Sequence, residues 1–323
     1  MPRLITLVPI VTLLAMLGPV VAGLWGTVLP AFGHLPVAGF DGPSLDALRM
    51  LATTPGIGAA ARISVTTGLL ATGISVLIVV LITGGWSGTP AFQVLERVLS
   101  PLLAVPHAAA AFGLAFLIAP SGWIVRLVSP GLTGWDRPPD VLILNDPYGL
   151  AMTAGLIIKE VPFLLLMTIA ALGQVQQRRS LLVAQALGYG RLTGWLKAVF
   201  PRVYAQIRLP VYVVLAYSMS VVDVAVILGP TTPPPLSVLI VKWMGDPDLG
   251  MRLLAAAGAL LQLALVVGAL SVWRIGEFIV ARIGLSWVIR GGRGRFDGAI
   301  RPLGLGAGAL TAALIFAGLG GLL

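Results

Sequence analysis

Apolar and polar positions along this chain segregate into long blocks rather than alternating. Uncharged runs cover Ile63 to Leu95, Val98 to Val125, Leu253 to Trp273 and Pro302 to Leu323. A helix of about 20 apolar residues crosses the roughly 30 Å hydrocarbon layer, so each run suffices for one crossing. In lipid, only helices and closed barrels satisfy their own backbone, and the two-residue alternation of a barrel strand is missing here. The pattern therefore predicts an all-α, polytopic transmembrane helical bundle. Its spans are expected over 5–29, 63–84, 98–119, 149–172, 207–229, 251–273 and 302–323. The block from Leu4 to Leu29 is about twice a signal-peptide core in length and ends without a small-x-small cleavage site, so it reads as a retained anchor. Six spans then form one unit over 1–275, followed by a basic linker over 276–301 and an additional span over 302–323. Arginine, proline and a long apolar run around Arg301 repeat the start at Pro2-Arg3-Leu4, which suggests one half of a double-length protein.

Composition agrees with the pattern. Of the 323 residues 58% are apolar and 10% charged, against about a quarter charged in soluble domains. The net charge of +9 would suit nucleic acid, but the basic residues sit in short connections between spans, and no nucleic-acid partner is expected. With the N-terminus inside, fourteen Lys and Arg fall on the inner side, from Arg3 to Arg301, and six on the outer side, from Arg49 to Arg252. That bias matches the positive-inside rule and predicts an inner-membrane, multi-pass protein with a cytoplasmic N-terminus. Cysteine is absent and the only histidines are His34 and His107, so no thiolate, disulfide or metal cluster is expected.

Ionisable residues inside spans are costly and mark cavities, internal ties or function. Three occur: Lys159, Glu160 and Asp223. Neighbours on a helix diverge by about 100°, so Lys159 and Glu160 face different ways. Lys159 either pairs with Asp223 as an internal tie, or these residues line a solute path. Tyr217, Ser220 and Asp223 are spaced by three and share one helical face. His107, after Pro106, reads as a hydrogen-bonded packing residue.

The connection between Gln174 and Pro210 is too patterned for a linker. Leu181 to Leu187 is a strong helix former, Gly188-Tyr189-Gly190 is a helix stop, and Arg191 to Val199 forms a second short helix closed by Phe200-Pro201. The two describe a stiff bracket with an apolar face and a basic rim, suited to dock in another protein's groove. Val183-Ala184-Gln185-Ala186-Leu187-Gly188, with Pro201 thirteen residues past Gly188, resembles the "EAA" loop of the membrane-spanning permeases of ABC importers. Aligned on glycine and proline, Leu182, Val183 and Ala184 stand at the Glu-Ala-Ala positions, so the leading glutamate is replaced by Leu182.

That resemblance implies a MetI-like permease core of six spans with a coupling loop at about 174–206, in the thiamine, spermidine and sulfate group. It assigns the ATPase-coupling role to Leu182, Val183, Ala184, Leu187, Gly188, Tyr189, Gly190 and Pro201. It also implies ABC ATPase subunits, a second permease half or homodimer, and a periplasmic solute-binding protein as partners. No cofactor is expected, since no Walker Gly-x4-Gly-Lys-Ser/Thr sequence occurs and ATP would be used by a partner chain. The competing reading is an ATP-independent secondary transporter or channel, which leaves the bracket unexplained. A membrane enzyme is disfavoured by the lack of HExxH and Gly-x-Ser-x-Gly sequences.

Overall fold

The computed structural model describes residues 2–293 and, beyond them, positions 302, 303, 306, 309 and 313. Its elements are helical: α1 (Pro2–Ala31), α2 (Asp46–Thr53), α3 (Ile57–Trp86), α4 (Pro90–Ala104), α5 (His107–Ile118), α6 (Trp123–Val128) and α7 (Leu150–Gln174). There follow α8 (Gln177–Ala186), α9 (Arg191–Ala198), α10 (Phe200–Ser220), α11 (Asp223–Leu228), α12 (Leu236–Met244) and α13 (Met251–Ile289). Among the described residues, five stretches are long and apolar enough to cross a membrane: Leu7–Ala31, Ile57–Trp86, His107–Val128, Leu150–Gln174 and Met251–Ile289. The expected polytopic helical bundle is borne out.

Helix α7 is the axis of the molecule. Fifteen of its residues are buried, and α3, α4, α5, α10 and α11 all pack on it. Its start is fixed by Asp146, whose carboxylate accepts the amides of Leu150 and Ala151 at 2.9 Å each, satisfying donors a helix leaves free in its first turn. Beside it, Asn145 Nδ2 donates to the Gly229 carbonyl at 2.7 Å and pins the end of α11. By contrast α1 leans on α13 alone among the larger contacts and keeps an apolar, exposed surface, as a lipid-facing helix does.

Three expectations about span continuity are corrected. The stretch 98–119 is not one span: the chain breaks at Val105-Pro106, where proline supplies no amide and forces its predecessor out of the helix. The stretch 207–229 is also divided, at Val221 and Val222, into α10 and α11. The span expected to end at 273 runs on to Ile289, so 276–289 is helix rather than linker. Thirty-nine residues at 1.5 Å each reach about 58 Å, nearly twice the hydrocarbon thickness, so one end of α13 must project from the membrane. The additional span over 302–323 lies, apart from those isolated positions, outside the described residues.

Candidate functional site

Lys159 and Glu160 sit ten residues into α7, about 15 Å along its axis, near the middle of a membrane-spanning length. Both are buried, at 4% and 3% exposure. Their adjacency sends them to opposite neighbours, as the 100° step requires. Lys159 Nζ donates to the carbonyls of Leu102 (3.1 Å) and Val105 (2.7 Å), the groups freed where α4 breaks from α5. The Glu160 carboxyl takes the hydroxyl of Ser75 from α3 at 3.3 Å, and that of Ser218 from α10. The second break is met in the same way. Gln262 Nε2 of α13 donates to the Met219 carbonyl at 3.0 Å, and Ser237 Oγ of α12 to the Val221 carbonyl at 2.7 Å. Broken helices persist within a membrane only where protein groups take up the freed backbone, and each break here has such groups.

The breaks also aim two half-helices at one level. α5 begins beside Lys159 and reaches the level of Gly155 by Leu114, while α11 begins near Glu160 and ends beside Asn145. Both therefore run antiparallel to α7 and start near its midpoint. Their first residues are His107 and Asp223. The Tyr217 ring stacks on His107 with centroids 4.9 Å apart, and His107 lies within electrostatic reach of both Lys159 and Asp223. Lys159 and Asp223 form no ion pair among the described residues, so the internal tie is not the arrangement found. Asp223 and Ser220 are exposed, and Tyr217 partly so, at 36%. The helical face expected to carry Tyr217, Ser220 and Asp223 is interrupted at Val221, which leaves Tyr217 and Ser220 at the end of α10 and Asp223 at the start of α11. Sequence reasoning misses Ser75 and Gln262, which satisfy this region; a hydroxyl or amide in an apolar block is their only signal.

The bracket is α8 and α9. At the end of α8, Gly188 takes φ +83°, Tyr189 N–H donates to the Ala184 carbonyl at 3.1 Å and Gly188 N–H to Gln185 at 2.9 Å. This is a Schellman stop with glycine in the left-handed position. The two helices cross where Ala184 meets Gly194: a methyl on Gly194 would stand 2.9 Å from the Ala184 Cβ. α9 is rooted in the bundle by Trp195, which is fully buried among Val79, Leu164, Val203 and Ile207. Gly84 of α3 admits this helix, since a Cβ there would come within 2.6 Å of Leu192 and 3.1 Å of Trp195. Gln177 and Arg191 both bond Ser87, the residue that ends α3. Lys197 donates to the carbonyls of Trp287 (3.1 Å) and Gly292 (2.8 Å), capping the far end of α13. Gly190 opens α9 and Pro201 lies in the first turn of α10. On the outer side of α8, Leu182, Val183 and Leu187 are 56–59% exposed.

Two broken helices meeting at a polar centre and a braced two-helix bracket occur together in a chain similar to a known transporter component. Over 225 residues it is 29% identical to the inner membrane ABC transporter permease protein YnjC of Escherichia coli (strain K12), a match covering 68% of this chain. The chain is thus similar to an ABC transporter permease. The expected resemblance to ABC transporter permeases is borne out by this relative. The match takes in 42% of the relative's length, so the chain spans less than half of it. No family model matches.

Proposed function

We propose that this chain is the membrane-spanning permease subunit of an ABC-type solute importer, coupled through α8 and α9 to a separate ATPase. The observation that carries the reading is the bracket. An exposed apolar helix face is held on a stiff base whose root, Trp195, lies in the bundle core. A partner gripping α8 would move α9, and through Trp195 the ends of α3, α7 and α10. An ATP-driven event outside the membrane shifts a bundle only through such differential contacts. The import direction is supported by the likeness of the segment from Leu182 to Pro201 to the coupling loop of importer permeases.

The exposed polar groups of Tyr217, Ser220 and Asp223 suit a solute path. A charge at mid-membrane depth costs several kcal/mol when it faces lipid, so Asp223 must face water or another protein domain. A second permease half, as a second copy or a fused or separate relative, would close that face. The greater length of the similar permease, of which the match takes in 42%, supports such an arrangement. The surplus of Arg and Lys on one side supports an inner-membrane location with the N-terminus and bracket in the cytoplasm. ATP hydrolysis is then the partner's task, and a periplasmic binding protein would deliver the solute.

The substitution Leu187→Cys in this cysteine-free chain, followed by crosslinking in whole cells, tests the reading. A crosslink to an ATPase subunit is expected; a thiol labelled only from outside the cell, or only by lipid-soluble reagents, rejects it. The rival is an ATP-independent secondary transporter, favoured by the paired broken helices, which such transporters use for their sites. Solute uptake by the chain in vesicles without any ATPase would decide for the rival.

A further inference from the structure

The bracket carries an unusual charge pattern. Between Gln174 and Gln206 there is no Asp or Glu, while Arg178, Arg179, Arg191, Lys197 and Arg202 are present. The structure separates these five by use. Arg191 bonds Ser87 and Lys197 holds the end of α13. Arg178 and Arg179 are exposed and make no hydrogen bond or ion pair among the described residues. They also occupy the first turn of α8, where free amides and the helix dipole disfavour cations by a few tenths of a kcal/mol each. Local stability does not account for them, and a residue that breaks a local rule without internal gain points to a demand from outside.

Their placement says what that demand is. Arg179, Val183 and Leu187 follow one another at intervals of four, and Arg178, Leu182 and Ala186 form the adjacent row. Residues so spaced share one face. All six are exposed, on the side opposite Leu181 and Ala184, which are buried. The face thus points away from α9 and from the bundle that α9 rests on. It carries two guanidinium groups at one end and an apolar patch at the other. At the position where the resembled loop has its glutamate, Leu182 belongs to the apolar part.

We propose that the surface receiving α8 has an apolar floor opposite Leu182, Val183, Ala186 and Leu187, and carboxylates opposite Arg178 and Arg179. This rests on the reading of α8 as the docking helix for an ATPase and names the chemistry of that partner's cleft. Guanidinium and carboxylate match in a planar, two-pronged geometry, which fixes the register of a helix that an apolar patch alone would let slide. The charge sense is the reverse of a loop that presents a glutamate, so an ATPase built for such a loop is a poor partner for this chain.

The test is retention of the ATPase on the affinity-tagged full chain in nanodiscs, for Arg178→Glu/Arg179→Glu and, separately, Leu182→Asp/Leu187→Asp. The arginine reversal is expected to weaken retention by about tenfold or more, as like charges brought together at an interface do. It should leave the thermal unfolding midpoint unchanged or slightly higher, because acids suit the first turn of a helix. Retention of the ATPase by the arginine variant, with loss by the leucine variant, overturns the carboxylate assignment and leaves the docking helix standing. Retention by both rejects the docking helix itself. If the reversal acts only in nanodiscs containing phosphatidylglycerol and not in phosphatidylcholine, the arginines serve lipid headgroups and the proposal fails.

Discussion

At the scale of single residues, the centre of the bundle separates groups that hold the fold from groups that stay exposed. Lys159 is of the first kind. Its ammonium satisfies two carbonyls at the break between α4 and α5, and Lys159→Met would orphan both in a dry setting. Each unsatisfied group costs about 1–3 kcal/mol. The variant should therefore lose about 2–5 kcal/mol of stability, read as a fall in the unfolding midpoint of the detergent-purified chain. Asp223 is of the second kind, being exposed and without an ion pair among the described residues. Asp223→Asn should change stability by no more than about 0.5 kcal/mol. Uptake should fall by about tenfold, the worth of one charged hydrogen bond of roughly 1.4 kcal/mol. Equal loss of assembly in both variants would show that Asp223 is structural.

At the scale of elements, the sequence is most legible where a residue type compels a backbone. Gly188 is such a case, since the stop it signals is the left-handed turn found at φ +83°. Gly188→Val should cost about 1–2 kcal/mol, because a β-branched residue resists that region. With α8 docked on an ATPase as proposed, it should also uncouple ATP hydrolysis from transport by displacing Tyr189 and α9; wild-type coupling in the variant would refute this role for the turn. Pro106 likewise marks a break that a hydropathy profile smooths over. The second break is illegible, as Val221-Val222 contains neither glycine nor proline and the apolar pattern continues across it. What allows it is distant in sequence: Gln262 and Ser237 reach its freed carbonyls from two other helices. The same holds for the expected face of Tyr217, Ser220 and Asp223. Their spacing assumes one helix, whereas Tyr217 and Ser220 end α10 and Asp223 starts α11.

At the scale of the whole molecule, α13 couples the bundle to the bracket, and one carboxylate makes this possible. Arg274, Glu277 and Arg282 break the apolar pattern, which is why the chain past 273 reads as linker. In the fold, Glu277 is 7% exposed and gathers α10 onto α13. It accepts hydroxyl protons from Tyr204 (2.6 Å) and Tyr212 (2.9 Å), and pairs with Arg274 at 2.9 Å and Arg208 at 3.3 Å. The indole of Trp273 donates to Tyr204 at 3.0 Å and closes the cluster. Beyond it α13 continues to the Lys197 cap, so the helix is clamped both at the start of α10 and on α9. The partners of Glu277 are unequal. Arg274 is 58% exposed on its own helix, so Arg274→Ala should cost no more than about 1 kcal/mol, as exposed ion pairs do. Glu277→Ala removes the acceptor shared by four groups and should cost about 1–3 kcal/mol, the penalty of leaving half-buried tyrosine hydroxyls without their acceptor. Because α10 and α13 would then part near the bracket, the loss should appear first as faster amide exchange in residues 200–212 and 274–292. Exchange in α7 should stay unchanged. Uniform acceleration through α7 would mean that the clamp belongs to the global core rather than to a separate strut between α10 and the bracket.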